Sequence, residues 1–397
     1  METFEWEALS KTGEKRKGVM EGENIGTVVA QLRRQGLKNP TAKKKSTKSM
    51  KKKKITEIEI VVFTRQLATM VGAGLPLVAC FELAAKGAEN QTLQEVTLRV
   101  KADIESGTTL TDAMTKEPSM FDSLFINLVQ AGEQSGILET VLNRLAVYKE
   151  KTAALRAKVK SAMTYPIAVL VIAFIITGVL MVKVVPVFAE LFQGFGATLP
   201  APTRIVIAIS EWSQKYWWLV LLVVWGLNYA FSYLYKNNKK FHYQMDKLAL
   251  SLPVFGMILR KSSVARFART FGTMIAAGTP ILDSLENVAR TAGNKIVEEA
   301  VMNARSSISE GRSLTEPLAA SGIFPAMVTQ MIGIGESTGN LETMLEKIAD
   351  FYEAEVDRAV DSLTALLEPL ILVILGVLIG GLVVAMYLPI FQMGSVV

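Results

Sequence analysis

The sequence predicts an all-α polytopic membrane protein: two homologous cytoplasmic helical bundles, three transmembrane helices and a small ββα-like module at the N-terminus. Three observations predict it. Residues 63–77 (FTRQLATMVGAGLPL) and 267–281 (FARTFGTMIAAGTPI) are identical at seven of fifteen positions at an offset of 204. Half of the 397 residues are hydrophobic, and the mean hydropathy is +0.31, with the apolar residues gathered into three long runs. The Lys and Arg residues fall almost entirely before the first run and between the second and third, on one side of the expected membrane.

The duplication extends well beyond its best-matched stretch. Ile104, Gly107, Leu110 and Thr111 recur as Ile308, Gly311, Leu314 and Thr315; at an offset of 203, GEQSGILE at 132–139 recurs as GESTGNLE at 335–342. Pro166 and Pro186 fall on Pro369 and Pro389, so each repeat carries its own apolar tail. A repeated unit that includes a membrane span is a statement of architecture.

The apolar runs at 166–186, 216–235 and 369–391 are each about 20 residues or slightly longer, enough at roughly 1.5 Å per residue to cross roughly 30 Å of hydrocarbon. Residues 1–163 hold 26 Lys and Arg and residues 236–365 hold 14, whereas 189–215 holds only Arg204 and Lys215. Basic residues stay on the inner side of a membrane, which makes both large segments cytoplasmic and puts the C-terminus outside. The same topology accounts for the pI near 9.1, so no nucleic-acid partner is expected. The first forty residues lack an apolar core of signal-peptide length.

These signals divide the chain as follows. A cytoplasmic module occupies 1–40, a Lys-rich linker 41–56 and the first bundle 57–163. The first span at 164–188 leads to a short periplasmic loop at 189–215 and the second span at 216–235. A cytoplasmic connector at 236–260 precedes the second bundle at 261–365, the third span at 366–391 and a periplasmic tail at 392–397. In the N-terminal module, residues 3–20 alternate around Thr12-Gly13 as a hairpin would, and 24–36 has helical apolar spacing. Eight lysines between Thr41 and Lys54 leave nothing to build a core with. They read as a linker, with contact to anionic lipid headgroups as the functional alternative.

Within the first repeat, Ile58, Val62, Gln66, Leu67, Met70 and Val71 share one helical side, and Gly72 to Pro76 ends that helix. Further helices are expected from Leu77 toward Lys86, through Val96 to Ile104, through Leu110 to Met114 and from Ser123 to Ala131. Gly132 to Gly136 is expected as the next break, with Gly136 and Glu139 imitating a capping box that Gly339 and Glu342 repeat. The last helix runs through Leu142, Leu145 and Tyr148 toward the first span.

Little reactive chemistry is available. Cys80 and His242 are each the only residue of their type, which excludes an internal disulfide and a thiolate metal cluster. No Gly-Lys-Ser/Thr follows a glycine loop, so there is no P-loop, and Lys11-Thr12-Gly13 is a chance match to one penicillin-interacting box. Inside the three apolar runs the only formal charge is Lys183, near an end from which it can snorkel, and Glu368 stands just before the third run. A proton- or ion-coupled transporter needs ionisable groups at mid-depth, so a transporter or channel is the distant alternative. The chain is expected to be no enzyme and to hold no cofactor.

The candidate site residues are therefore structural or partner-facing. The paired turns contribute Gly74, Pro76, Gly132, Glu133 and Gly136 in the first repeat and Gly278, Pro280, Gly335, Glu336 and Gly339 in the second. A Gly-Glu-x-Ser/Thr-Gly turn resembles an anion loop, but a turn between two helices explains its glycines without a ligand. Arg65 and Arg269 occupy equivalent places and are expected to pair with an acidic residue of the bundle, with a partner contact as the second reading. Glu342, Glu346 and Asp350, followed by Glu353 and Asp357, form an acidic row that is read as solvated, with a divalent cation or a basic partner as alternatives. Gly376 and Gly380, with Gly381, give the third span a GxxxG face for packing within the chain or between copies.

The duplicated FTRQLATMVGAGLPL unit, the two Gly-Glu-x-Ser/Thr-Gly-x-Leu-Glu turns, the DKLALSLPVFG connector at 246–256 and the lead-in Ala265-Arg266-Phe267 closely resemble the inner-membrane platform proteins of type IV pilus and type II secretion machines, the PilC/GspF family. The resemblance covers essentially the whole chain. The short N-terminal module and the outer-loop sequence FGATLPAPT at 195–203 look more like the pilus branch than the secretion branch. The resemblance implies six-helix cytoplasmic bundles and a homo-oligomer in the bacterial inner membrane. It also implies hexameric assembly and retraction ATPases, pilins and other inner-membrane pilus components as partners.

Overall fold

The computed structural model describes residues 2–9, 15–22, 24–34, 36–44, 53–194, 200–253 and 255–393. The chain divides into a first unit, the N-terminal module with Ala88–Gln94, and a second unit that holds the rest of repeat 1, repeat 2 and the three long apolar helices.

In the N-terminal unit, β1 (Glu2–Leu9) and β2 (Lys15–Gly22) pair antiparallel, α1 covers Ile25–Arg34, and β3 (Lys38–Lys44) pairs antiparallel with the other edge of β1. Val28 and Leu32, one turn apart on α1, are buried with Phe4, and Trp6, Met20, Leu37 and Ala42 close around them. The expected ββα module is thus ββαβ, and the Lys-rich linker loses its first four residues to a strand. A lysine-rich stretch can form a strand when a neighbouring edge offers unpaired backbone groups, because the ladder is made by main chain. The expected hairpin turn at Thr12-Gly13 and residues 45–52 of the linker lie outside the described residues.

In the second unit, repeat 1 contains α2 (Glu57–Gly72), α3 (Leu77–Gly87), α4 (Gln91–Glu105), α5 (Leu110–Thr115), α6 (Ser123–Ser135) and α7 (Leu138–Val179). A π-turn at Leu180–Val184 carries α7 on into α8 (Val185–Gly194). Next come α9 (Ala201–Asn237) and α10 (Lys239–Ser251). Repeat 2 contains α11 (Phe255–Ala276), α12 (Ile281–Thr291), α13 (Lys295–Ser309), α14 (Thr315–Ala320), α15 (Ala326–Thr338) and α16 (Leu341–Met393). Each repeat is a six-helix bundle.

The two cores use the same aromatic anchors. Phe63 meets Phe121 at 6.2 Å between ring centroids, and their counterparts Phe267 and Phe324 meet at 4.8 Å. Each fully buried ring contributes on the order of 2–3 kcal/mol through the apolar area it removes from water. The apolar stripe read on α2 is split by the fold: Phe63, Thr64, Leu67 and Ala68 are buried, while Ile58 and Val62 remain exposed. Thr56 opens α2 with a true capping box, accepting from the Glu59 amide while its own amide donates to Glu59 Oε2 at 2.6 Å.

Three helical segments are long and apolar enough to cross a membrane: Leu138–Leu191, Ala201–Asn237 and Leu341–Phe391. The segment 189–215, expected as a short loop, is largely helical. α9 begins right after Pro200, at Ala201, with Pro202 in its first turn, where a proline misses no intrahelical bond. Non-helical torsions at Tyr216 kink α9 where its apolar run begins. The arm before the kink is anchored: Thr203 Oγ1 donates to the Ala385 carbonyl at 2.5 Å, and Ser210 Oγ donates to the Met181 carbonyl. Val206 and Ile207 pack there against Val185, Leu382 and Met386. Residues 195–199 and 394–397, in the expected outer loop and tail, lie outside the described residues.

Candidate functional site: paired turns and the seam between repeats

Arg65 and Arg269 each make a two-pronged ion pair across their bundle. Arg65 Nε and Nη2 donate to Glu150 at 2.6 Å each, and Nη1 donates to Asn143 Oδ1 at 2.9 Å. Arg269 Nε and Nη2 donate to Glu353 at 2.8 Å each, and Nη2 also meets Asp350 at 2.5 Å. Glu150 and Glu353 are themselves equivalent at the 203 offset, so the pair is duplicated whole. The fork geometry is why arginine serves here: a planar guanidinium matches both carboxylate oxygens at once. The hydrogen bond from Arg65 holds the Glu150 carboxyl below its ordinary range. The two copies differ in setting. Side chains of the first pair are 36 % and 41 % exposed, those of the second 12 % and 17 %.

The Gly-Glu-x-Ser/Thr-Gly segments are helix ends, whose glycines and glutamates serve packing and capping. α6 and α15 run on through Ser135 and Thr338, and Gly136 and Gly339 then take left-handed torsions, each at φ 69°. The expected capping box is absent: α7 starts after Ile137 with no side-chain cap, since a glycine has no acceptor to offer. Gly132 and Gly335 allow close approach of the next helix; a Cβ on Gly335 would lie 2.9 Å from the Leu341 Cα, and one on Gly132 3.0 Å from Val141. Glu133 reaches across to the start of α5, accepting from the amides of Leu110 at 2.8 Å and Thr111 at 3.1 Å and from Thr111 Oγ1 at 2.6 Å. Glu336 does the same for the start of α14 through the Leu314 amide at 3.1 Å and Ser313 Oγ at 2.8 Å. A carboxylate at a helix start meets both orphan amides and the positive end of the dipole. The earlier pair of turns is simpler: Gly74 and Gly278 have φ 79° and 78°, and the carbonyls of Pro76 and Pro280 accept the first bonds of α3 and α12.

The acidic row of α16 faces a basic row on α7 that the sequence reading did not single out. Arg144 meets Glu342 at 2.8 Å, Lys151 meets Glu353 at 3.4 Å, and Lys158 meets Asp357 and Asp361 at 3.4 Å. The three cations are seven residues apart, a spacing that marks one face of a packed helix and was available in the sequence. The row therefore lies along the seam with α7, ion-paired there while Glu342, Asp350 and Asp357 stay about half exposed, and among the described residues no three acidic, His or Cys side chains converge to hold a metal. Glu346 lines a cleft of about 290 Å³ between α7, α11 and α16, beside Arg144, Tyr148 and Glu342. Thr270 Oγ1 lies 3.3 Å from the Tyr148 hydroxyl, and Asn127 Nδ2 donates to Asn287 Oδ1 at 2.7 Å between α6 and α12. Gly376 and Gly380 have no neighbour from this chain within 4 Å of where a Cβ would stand.

The connector between spans and repeat 2 is tied by Asp246, which sequence reading noted only as part of a motif. It accepts from Tyr235 Oη at 2.9 Å and from the Lys295 amide at the start of α13 at 2.7 Å, with His242 Nε2 at 3.4 Å. His242 is thus half-buried against a carboxylate. Gly256 ends the connector because a Cβ there would stand 2.3 Å from the Leu250 carbonyl oxygen. Gly256→Ala is expected to destabilise the protein by about 2–3 kcal/mol, as overpacking against backbone does, and to lower the thermal unfolding midpoint in detergent.

Two homologous six-helix bundles, each continued by a helix long and apolar enough to cross a membrane, define a duplicated polytopic membrane protein. The type II secretion system protein F profile matches residues 63–186 and again 267–389, and that family's N-terminal domain profile matches 1–38. The chain belongs to this family. It is 46 % identical to a type IV pilus assembly protein PilC of Myxococcus xanthus, over 99 % of this chain and 95 % of the relative. A protein of the same name from Pseudomonas aeruginosa is 47 % identical over 93 % of this chain and 99 % of its own length. A type II secretion system protein F of Vibrio cholerae is 33 % identical over 100 % of this chain and 99 % of its own.

Proposed function

We propose that this chain is the inner-membrane platform of a type IV pilus machine. In this role it couples cytoplasmic assembly and retraction ATPases to the insertion or removal of pilin subunits, as an oligomer with other inner-membrane pilus components. One observation carries the reading: α7 and α16 each run from a bundle into an apolar span as one helix, with Pro166 and Pro369 inside it where the apolar run begins, so motion of a bundle is passed along the helix to the bilayer. The platform receives work made elsewhere and performs no chemistry of its own. Its N-terminal module and both repeats lie in the cytoplasm and its C-terminus in the periplasm, in keeping with the basic inner segments.

Higher identity to the pilus relatives than to the secretion relative favours the pilus branch. Deleting the gene is expected to abolish surface fibres while pilin synthesis and ATP hydrolysis by the isolated motor continue. Normal piliation in the deletion strain would refute the proposal, and loss of secreted proteins with fibres intact would move the chain to the secretion branch.

A further inference from the structure

The seam between the repeats is heterologous, and that property has a physical corollary. Repeat 1 contributes the α7 face with Arg144, Tyr148 and Lys151, and repeat 2 receives it on α11 and α16 with Thr270, Glu342 and Glu353. At the repeat offset, the contributing face recurs in repeat 2 as Lys347, Phe351 and Ala354, all exposed. The receiving face recurs in repeat 1 as Gln66, Glu139 and Glu150, with Gln66 and Glu139 exposed and Glu150 half-exposed. Tyr148 is 6 % exposed under repeat 2, whereas its counterpart Phe351 is 45 % exposed. A self-complementary contact would have used up both faces, but a head-to-tail contact leaves one of each kind open.

The open faces match each other. Thr270, which Tyr148 covers, corresponds to Gln66, and one turn before Gln66 stands the exposed Val62. Phe351 thus has an apolar seat where Tyr148 has a polar one. Arg144–Glu342 corresponds to Lys347–Glu139, again cation to anion, and neither of these two makes an ion pair among the described residues. One rung is lost, since Ala354 stands where Lys151 does. The rungs 144–342, 151–353 and 158–361 rise together, so α7 and α16 are parallel and the operation that carries repeat 1 onto repeat 2 preserves the direction into the bilayer. A further copy added by the same operation lies in the same membrane.

We propose that the Lys347–Phe351 face of repeat 2 docks head to tail on the Val62–Gln66–Glu139 face of repeat 1 of a second copy of this chain. The inference rests on the reading that the platform works as an oligomer, and it names the surface. Two differently tagged full-length chains, one carrying Val62→Cys and the other Phe351→Cys, are co-expressed and oxidised in native membranes, with the buried Cys80 left in place. A disulfide between the two tags is expected, with neither variant crosslinking to itself. Lys347→Glu should reduce that product about fivefold, and adding Glu139→Lys should restore it. Absence of the mixed product while the detergent-solubilised chain has an oligomer's mass would overturn the surface and leave the oligomer standing. A monomeric mass would overturn both, and crosslinking of Phe351→Cys only to itself or only to another protein would overturn the head-to-tail mode.

Discussion

Replacing Arg269 by alanine should lower stability by about 2–4 kcal/mol, whereas the same change at Arg65 should lower it by under about 1 kcal/mol. The two arginines make the same fork to equivalent glutamates, so the chemistry is held constant and only the surroundings change. In repeat 2 the fork lies beneath α7, and losing the guanidinium strands Glu353 and Asp350 with Lys151 alone to answer them. In repeat 1 water reaches Glu150 and replaces much of what is lost. Thermal unfolding of the two single variants and the double variant in detergent measures the difference. Equal shifts for both would show that the seam does not shield the second pair.

Glu133→Ala should cost about 2–3 kcal/mol, because two amides and a hydroxyl at the start of α5 lose their acceptor together. Glu133→Gln keeps one acceptor oxygen and should lose roughly half as much. The effect has a pH signature. Burial pushes the Glu133 carboxyl up, but the hydrogen bonds from Thr111 Oγ1 and the Leu110 and Thr111 amides together outweigh it, so the group titrates below its ordinary value of 4.5. Its stabilising contribution is therefore complete above the unfolded-state value and lost as pH falls through the lower folded-state one. The melting difference between the parent chain and Glu133→Ala should shrink on acidification below about pH 4.5 and stay level toward neutrality. A gap that widened in acid would rule out the cap.

The duplication and the three apolar runs were legible because each is a local pattern: a fixed offset, or about 20 apolar residues in a row. The six-helix count came with the family resemblance, while glycines and prolines at matching places marked two of the breaks in each copy. Contacts between distant segments were not legible. Glu150 stands 85 positions from Arg65, and nothing near either residue names the other. β3 escaped because pairing with β1 depends on a free backbone edge rather than on lysine side chains. The arm of α9 before Tyr216 escaped because the apolar run begins only at that residue, and the stretch ahead of it reads as the loop between two spans. The seam itself could not be read, since the repeat offset applies to every face of the bundle and does not say which face of one copy meets which face of the other.

The unbroken run of α16 sets a mechanical scale. Its 53 residues make a lever arm about 80 Å long when the fulcrum lies at its bundle end, near Leu341. Rocking such an arm by about 5° swings its tip through roughly 7 Å, close to the spacing of two packed helices. Small angular play among the soluble helices is thereby geared up to a full notch of displacement at the opposite end.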